Sequence, residues 1–343
     1  MIKKVVVIGG GHGQSLICRA LKQIDNITIS AIVTVADDGG STGRLRKQFH
    51  IPAMGDIRNV LISLSEKESV MRDLMDYRFA TLGSEDIDVQ GHNLGNLILT
   101  ALTEETGSFL EAIQVASDVL KVKGKIIPAT TEIITLYARM EDGVIVKGEA
   151  NIPSFDHHIE EVFYDKKVTA DKDAVEAIKE ADLIIYGIGS VYTSILPNVI
   201  IDDIQQALHE TKAKKLYVCN AMTQPGETDG YSVEDHVNAL LKHDAPLDEI
   251  LIPDDILPSD NVARYEEQGS TPVYLRSTKH DYKIIRKELL CFDNGLILHD
   301  VDKLKKSLEE IIKEIKCHLP KILNKKCHIN NYQNMKLKLN YLH

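Results

Sequence analysis

The stretch from Lys4 to Gly13, KVVVIGGGHG, decides the fold class of this chain. It begins as a continuous apolar run, typical of a strand buried on both faces of a parallel sheet, and it ends in a glycine turn. Residues 16–24 then place an apolar stripe on one side of a helix, and residues 27–35 indicate a second strand. Together these segments form a βαβ unit with a right-handed crossover. We therefore predict an α/β fold, with a Rossmann-like, doubly wound and mostly parallel sheet.

The rest of the chain fits one domain of this type. Residues 46–165 contain helix patterns and an antiparallel hairpin that turns at Asp142 and Gly143, so we expect an inserted helical and β-hairpin region there. Helices near 173–181, 202–211 and 232–242 then alternate with strands, and the segment PVYLR at 272–276 is expected to be a further strand. We predict a single Rossmann-like domain over residues 1–316 and a C-terminal extension over 317–343, made basic by five lysines.

Composition excludes several classes of protein. The 343 residues carry a net charge of -11, whereas nucleic-acid binders cluster Lys and Arg to neutralise phosphates. No apolar run reaches the roughly 18 residues of a membrane span. The five cysteines are odd in number and form no CxxC pair, which favours reduced thiols over a zinc cage. We expect a cytoplasmic protein with no nucleic-acid partner, and a dimer is the commonest state of soluble homo-oligomers.

Four loops that follow predicted strands are rich in glycine and small polar residues. Because parallel strands end at the same edge of a sheet, we expect these loops to meet there and to bind a ligand. The first loop contains Gly9, Gly10, Gly11, His12 and Gly13, which let the backbone approach a phosphate at the start of a helix. As a dinucleotide fingerprint the loop is incomplete, since the third glycine of GxGxxG is replaced by glutamine at position 14.

The second loop, ADDGGSTGRLR at 36–46, pairs two acids with arginines. Asp37 and Asp38 are candidate ligands for Mg²⁺ or for a hydroxyl donor, while Arg44 and Arg46 are candidates for bidentate binding of phosphate. One alternative is that an acid here holds the ribose hydroxyls of NAD. Another is that the acids and arginines pair with one another on the surface.

The third and fourth loops, GIGSVYTS at 187–194 and NAMTQPGETDGY at 220–231, offer hydroxyl groups, amides and free backbone N–H groups. They suit a second phosphate or a sugar oxygen. Asn93, in GHNLGN, precedes a helix whose N-terminus attracts anions. The candidate ligand-binding residues in these segments are Asn93, Gly187, Gly189, Ser190, Thr193, Asn220, Thr223 and Gln224.

These motifs resemble the YvcK-like proteins, also called gluconeogenesis factors, which are related in fold to the 2-phospho-L-lactate transferases. The resemblance covers roughly residues 3–316 and is carried by VIGGGHG, TVADDGGSTGRLR, GDIRN, GHNLGNL, GIGSVYTSILPN, NAMTQPGETDGY and NVARYEEQG. This chain differs from the family pattern at His12, Thr42 and Ile188, where threonine, serine and proline are usual. The resemblance implies ligand contacts at Gly10, Gly11, Asp37, Asp38, Ser41, Asn220 and Tyr265.

Three functions remain open at this point. The resemblance implies a regulator that binds a UDP-sugar such as UDP-GlcNAc, linked to gluconeogenic growth, cell shape and cell-wall synthesis, with an unidentified protein partner. The first alternative is a Mg²⁺-dependent transferase that acts on a nucleotide-diphosphate-activated phosphoester. The second alternative is an NAD-linked oxidoreductase. All three require Asp38 and Ser190 to share one crevice.

Overall fold

The computed structural model describes residues 2–80, 89–155, 157–277 and 279–315. At its centre is a seven-stranded sheet in which every neighbouring pair of strands is parallel. In spatial order the strands are β10 (Lys283–Lys287), β9 (Glu249–Pro253), β8 (Lys214–Val218), β7 (Leu183–Tyr186), β1 (Lys3–Gly9), β2 (Ile27–Val33) and β3 (Lys125–Pro128). The predicted α/β fold with a doubly wound parallel sheet is confirmed.

Helices cover this sheet and connect its strands. They are α1 (Gly11–Leu21), α2 (Gly40–Phe49), α3 (Gly55–Leu64), α4 (Glu68–Met75), α5 (Leu94–Thr106), α6 (Phe109–Leu120), α7 (Lys172–Glu180), α8 (Leu196–Val199), α9 (Asp202–Glu210), α10 (Val233–Lys242), α11 (Ser259–Glu266) and α12 (Val301–Glu314). Two short segments have other helical geometry, the 3-10 helix Glu149–Ser154 and the π-helical turn Val191–Ile195. Helix α1 packs against α3 and α12, while α7 packs against α9. Among the described residues, none of the helices is long and apolar enough to cross a membrane.

The centre of the core is β1. Its residues Val5, Val6, Val7 and Ile8 are each at most 1% exposed. Because successive side chains of a strand point to opposite faces, this burial shows that helices cover both faces of the sheet. The continuous apolar run in the sequence is therefore explained by the position of β1 in the middle of the sheet.

Two small antiparallel sheets lie outside the main sheet. One has the order β5 (Ile145–Lys147), β4 (Leu136–Met140), β6 (Ile159–Tyr164), and it contains the hairpin predicted at Asp142 and Gly143. The other pairs β11 (Leu290–Asp293) with β12 (Leu296–His299). Strand β3 belongs to the main sheet although it lies inside the segment 46–165 that we expected to be inserted. The basic extension predicted for 317–343 lies outside the described residues.

One predicted strand is wrong. Residues 272–276 form no strand, and only an isolated bridge joins Pro272 to Met222. The segment instead bonds to neighbouring loops, because Val273 donates its N–H to the carbonyl of Ala221 and the carbonyl of Tyr274 accepts from Val233. The segment PVYLR therefore packs as a loop. Strand β10 forms the edge of the sheet beside β9.

The strand order reverses beside β1. From β1 the chain adds β2 and then β3 on one side, and it later returns to place β7 on the other side. Ligands of open parallel sheets bind beyond the carboxyl ends of the strands at such a switch point. The loops that follow β1 and β7 are therefore the place to search for a site.

Candidate functional site

The loops that follow β1 and β7 are in contact at the switch point. A Cβ atom on Gly13 would overlap the carbonyl group of Ile188, which follows β7. A Cβ atom on Gly10 would overlap the carboxylate of Asp56 at the start of α3. Glycine is therefore needed at both positions because neighbouring protein atoms come so close, and this contact brings the first turn of α1 against the loop after β7.

One side chain joins the loop after β8 to the loop after β7. Asn220 accepts a hydrogen bond from the backbone N–H of Gly189 at 3.1 Å and donates one to its carbonyl at 2.9 Å. The same amide nitrogen lies 3.4 Å from Oε1 of Gln224. Thr223 is held by the next loop, since its hydroxyl accepts from the N–H of Thr271 at 2.8 Å. The structure thus brings three of the four predicted loops together.

A buried carboxylate links the third and fourth loops further. The hydroxyl of Ser190 donates to Glu227 and accepts from the N–H of Thr193 at 2.9 Å. The hydroxyl of Thr193 lies 3.3 Å from the other oxygen of Glu227. Glu227 is only 6% exposed, and burial raises its pKa despite these hydrogen bonds. Sequence analysis did not select Glu227, although it stands inside the fourth loop.

Asp37 and Asp38 contact different parts of the protein. Asp37 accepts from the N–H of Gly39 at 2.9 Å, and a Cβ atom on Gly55 would lie 3.0 Å from its other oxygen. Asp38 accepts from the N–H of Ala150 at 3.0 Å, so it anchors the 3-10 helix that precedes β6. Asp37 therefore faces the start of α3, whereas Asp38 faces the small β4-β5-β6 sheet.

Five carboxylates form an acidic cluster, which we call the crevice: Asp37, Asp38, Asp56, Glu149 and Glu227. Burial, reinforced by the charge of Asp37, raises the pKa of Asp56 to about 7 and that of Glu149 to about 8. Burial also raises the pKa of Asp37 itself. The negative charges of Glu227 and Asp38 also contribute to the raised pKa of Glu149. Because Glu227 also holds Ser190, this acidic cluster extends towards the third loop.

The arginines of the second loop donate their hydrogen bonds to backbone carbonyl groups, although the charge of Arg46 also lowers the pKa of Asp37. Arg46 is 6% exposed, and its guanidinium donates to the carbonyl groups of Ala36, Asp37 and Ile134. Arg44 donates to the carbonyl of Gln90 at 2.8 Å. Both side chains therefore hold backbone in place, and the buried guanidinium of Arg46, which was predicted to bind phosphate, bonds to protein carbonyl groups.

Ser41 lies in a buried polar network behind the crevice. Its hydroxyl is 3.0 Å from Nδ1 of His92 and accepts from the N–H of Asn93 at 3.2 Å. Asn93 in turn caps α5 by accepting from the N–H of Asn96 at 3.2 Å. Burial and the nearby Arg44 lower the pKa of His92, so its ring is neutral at pH 7. This network fixes the start of α2, where Ser41 is the second residue.

Comparisons with known proteins show the family of this chain. Residues 5–290 match the family described as 2-phospho-L-lactate transferase CofD. The chain belongs to this CofD family. It is 42% identical to the gluconeogenesis factor of Bacillus subtilis (strain 168) over 91% of this chain and 98% of that protein. It is 43% identical to the gluconeogenesis factor of Listeria innocua, with coverages of 89% and 94%. A crystal structure of a UPF0052 family member from Bacillus halodurans superposes with a TM-score of 0.83 at 40% identity, covering 89% and 99%.

Other predicted residues of this CofD-family chain have structural partners of their own. The hydroxyl of Tyr265 accepts from the N–H of Ile297 at 3.2 Å, which fixes the β11-β12 hairpin against α11. Gln14 stands where the fingerprint has its third glycine, and its amide donates to Val7 and Ile32 at 3.0 and 2.8 Å. Gln14 thus bridges β1 and β2, and the exposed side chain of His12 follows the glycine turn.

The acids of the crevice suit a divalent cation that arrives with a phosphate ligand. Among the residues that the structure describes, no three His, Cys, Asp or Glu side chains are arranged to hold a metal ion by themselves. Mg²⁺ is ordinarily held by one or two carboxylates together with substrate phosphates and water. Burial is the main cause of the raised pKa values of Asp56 and Glu149, and a bound cation would lower both. The donor set therefore fits Mg²⁺ with a phosphate ligand.

Proposed function

We propose that the protein binds a nucleotide diphosphate of the UDP-sugar type, such as UDP-GlcNAc, together with Mg²⁺. In this proposal it is a regulator of the gluconeogenesis-factor type, linked to carbon metabolism, cell shape and cell-wall synthesis. The observation that carries the proposal is the meeting of the loops after β1, β7 and β8 at the switch point of the sheet. Binding a ligand there is the general behaviour of this architecture.

Two helix N-termini supply the groups that would hold the diphosphate. Helices α1 and α2 begin at this crevice, and neither has a side-chain cap, because glycine stands at both N-cap positions. Asp56 accepts the N–H of Gly11, so the next N–H groups of α1 are left for a ligand. The N–H of Ser190, next to the Gly189 backbone that Asn220 holds, would bind the second phosphate. Anions at helix N-termini gain from hydrogen bonds and from the helix dipole together.

The acids make a cation necessary in this proposal. A diphosphate placed beside Asp37, Asp56 and Glu149 would meet strong repulsion if it entered alone. The sequence predicts Asp37 and Asp38 as metal ligands, and the influence of Asp37 on both Asp56 and Glu149 favours Asp37 of the two. Asp37 and Asp56 are therefore the side chains that would hold Mg²⁺. When bound, Mg²⁺ would neutralise the charge that phosphates and carboxylates share.

Isothermal titration with UDP-GlcNAc and UDP-glucose, with and without Mg²⁺, tests this function. We expect binding that needs Mg²⁺ and that Asp37→Asn weakens by roughly tenfold or more, the loss of one charge-assisted contact. Asp202→Asn is the matched control, because Asp202 is 70% exposed on α9. If the wild-type protein binds neither nucleotide in the presence of Mg²⁺, or if both variants bind equally, the proposed site is wrong.

One observation favours a transferase as the second candidate. Glu149 has a pKa of about 8, and a carboxyl group that titrates near neutral pH is suited to proton transfer. In such a reaction an acceptor alcohol would attack the phosphorus of an activated phosphoester, nucleoside monophosphate would leave, and the alcohol proton would pass to a carboxylate. Release of nucleoside monophosphate that depends on an added alcohol, and that Glu149→Gln slows, would establish this activity. Binding without release would leave the regulator as the function.

A further inference from the structure

A cavity of about 530 Å³ lies at the amino edge of the main sheet, where β1 and β2 begin. It is lined by the first residue of β1, the turn between α1 and β2, and α12. The seven residues of β1 place this edge about 20 Å from the crevice at the other end of the strands. Small-molecule sites usually have volumes of roughly 300–1,000 Å³. The cavity is therefore large enough for a ligand of its own.

A buried ammonium group belongs to this cavity. Lys3 lines the cavity and is only 9% exposed. In the described part of the chain its Nζ atom has no hydrogen-bond partner, and the ion pair with Oδ1 of Asp182 is long, at 3.7 Å. Oδ2 of Asp182 accepts the backbone N–H of Lys4 at 2.9 Å. An ammonium carries three N–H donors, and burying them without acceptors is costly. A hydrogen-bond acceptor in the cavity would therefore stabilise Lys3.

Apolar side chains form one part of the lining. They are Ile24, Ile27, Ile312 and Ile315. Ile24 and Ile312 are buried, whereas Ile27 and Ile315 are partly exposed. An apolar group that packs against these side chains would remove apolar surface of both ligand and protein from water. The cavity therefore favours a ligand with an apolar body.

Positive charge is in slight excess among the charged side chains of the lining. Lys313 forms an ion pair with Glu309 at 2.9 Å on α12. The other charged side chains of the lining are Lys3, Lys305 and the exposed Asp25, which together leave one positive charge in a protein of net charge -11. A ligand with several negative charges would also be repelled by the two acids. A single negative charge therefore matches the cavity best.

We propose that this cavity binds a carboxylate with an apolar body. The carboxylate oxygens accept hydrogen bonds from the ammonium of Lys3, and the apolar body packs against the isoleucines. Hydrogen bonds between two ionised groups are roughly twice as strong as bonds between neutral groups. Lys305 on α12 adds attraction from a second side of the cavity. This second site is separate from the crevice and goes beyond the proposed function.

Titration of the full chain with hexanoate, followed by the backbone NMR shifts of residues 23–27, tests the proposal. Acetate carries the charge without the apolar body, and hexanamide carries the apolar body without the charge. We expect hexanoate to bind at least about tenfold more tightly than either, because each of them lacks one of the two interactions. Inorganic phosphate should also bind more weakly than hexanoate. The absence of a saturable shift with hexanoate, or equal affinities for hexanoate and either analogue, would overturn the proposal.

A pair of neighbouring lysines provides the variant and its control. Lys3→Met removes the ammonium but keeps an unbranched side chain, so hexanoate should bind at least about tenfold more weakly while hexanamide binds as before. Lys4→Met is the matched control, because the side chain of Lys4 points to the opposite face of β1, is 53% exposed and pairs with Glu180 at 2.6 Å. Circular dichroism verifies that both variants fold.

Equal effects of the two substitutions on hexanoate would show that Lys3 does not bind the carboxylate. Asp37→Asn, which changes the crevice, should leave the affinity for hexanoate unchanged. A loss of hexanoate binding in Asp37→Asn would contradict a separate site at the amino edge of the sheet. Binding of UDP-GlcNAc is measured independently, so failure of this proposal and failure of the proposed function are distinguished.

Discussion

At the scale of single residues, glycines in this site are explained by close approach of protein to protein. Gly13 packs against the backbone carbonyl of Ile188, and no side chain can move away to relieve an added Cβ atom. Gly9, four residues earlier, has a different environment. A Cβ atom added to Gly9 would lie 3.4 Å from the nearest other atom, Cβ of Gln14, which is an ordinary contact distance.

This difference predicts unequal effects of one substitution. Gly13→Ala should lower the free energy of unfolding by about 3 kcal/mol, the upper end of overpacking costs, and should reduce nucleotide binding. Gly9→Ala should cost much less. Urea unfolding of both variants measures the two values, and equal costs would show that the loop after β7 moves freely away from α1.

The raised pKa of Asp56 predicts how stability depends on pH. Its folded-state pKa is about 7, against 3.8 for the ordinary group, so the folded protein holds this proton more tightly than the unfolded chain. Between those values the free energy of unfolding should fall as pH rises, by at most about 1.4 kcal/mol per pH unit from this group.

Asp56→Asn should remove that slope and should make the protein more stable than wild type at pH 8. Urea unfolding between pH 4 and pH 8, without nucleotide or Mg²⁺, provides the measurement. Asp202→Asn should keep the wild-type slope. An Asp56→Asn variant whose stability falls with pH as steeply as that of wild type would contradict the assignment.

At the scale of elements, the small β4-β5-β6 sheet completes the crevice. Gly148 and the 3-10 helix Glu149–Ser154 follow β5, and they reach Asp38 through the N–H of Ala150. Glu149 thereby enters the same acidic cluster as residues from the loop after β2 and the start of α3. The small β4-β5-β6 sheet and the 3-10 helix beside it therefore contribute residues to one side of the candidate site.

We therefore expect the hydrogen bond between Asp38 and Ala150 to hold the 3-10 helix Glu149–Ser154 against the loop after β2. Asp38→Ala removes the acceptor at 3.0 Å, and the amide of Ala150 should then exchange with solvent at least about tenfold faster, as expected for the loss of one hydrogen bond. Asp142→Ala breaks a comparable bond inside the hairpin, to the N–H of Val144, and should leave Ala150 unchanged. Hydrogen exchange read by NMR tests this, and unchanged exchange at Ala150 in Asp38→Ala would refute it.

At the scale of the whole molecule, an acidic protein with a net charge of -11 is proposed to bind an anion. The helix N-termini supply favourable partial charges, but the crevice carboxylates oppose them. The binding of the ligand, the binding of the cation and the protonation of these carboxylates should therefore depend on one another. Mg²⁺ near Asp56 and Glu149 favours their ionised forms, whereas a diphosphate alone favours their protonated forms.

This linkage predicts the direction of proton transfer on binding. UDP-GlcNAc with Mg²⁺ should release protons at pH 7, and its affinity should rise between pH 6 and pH 8. Titration calorimetry in two buffers of different ionisation enthalpy measures the proton count. The variant Glu149→Gln should release fewer protons, and net proton uptake by the wild-type protein would exclude a cation at these carboxylates.

The sequence by itself determined the α/β class and the edge of the sheet where the loops meet. Three features behind these predictions are local: the strand pattern of KVVVIGG, the glycine turn and the apolar stripe on α1. They can be found in the sequence because periodicity and turn chemistry act over a few residues. Gly10, Gly13 and Asn220 could be found in this way, since each lies shortly after the end of a strand. The strand predicted for PVYLR was wrong for the same reason, because a local pattern does not show which loops will bond to its backbone.

Only the tertiary structure decided which charges face one another. It joined Asp56, Glu149 and Glu227, which are distant in sequence, and it turned Arg46 towards backbone carbonyls instead of a phosphate. Coulomb energy depends on distance and burial in space, and neither quantity follows from residue type or spacing along the chain. The chemistry of the crevice is therefore a property of the folded molecule.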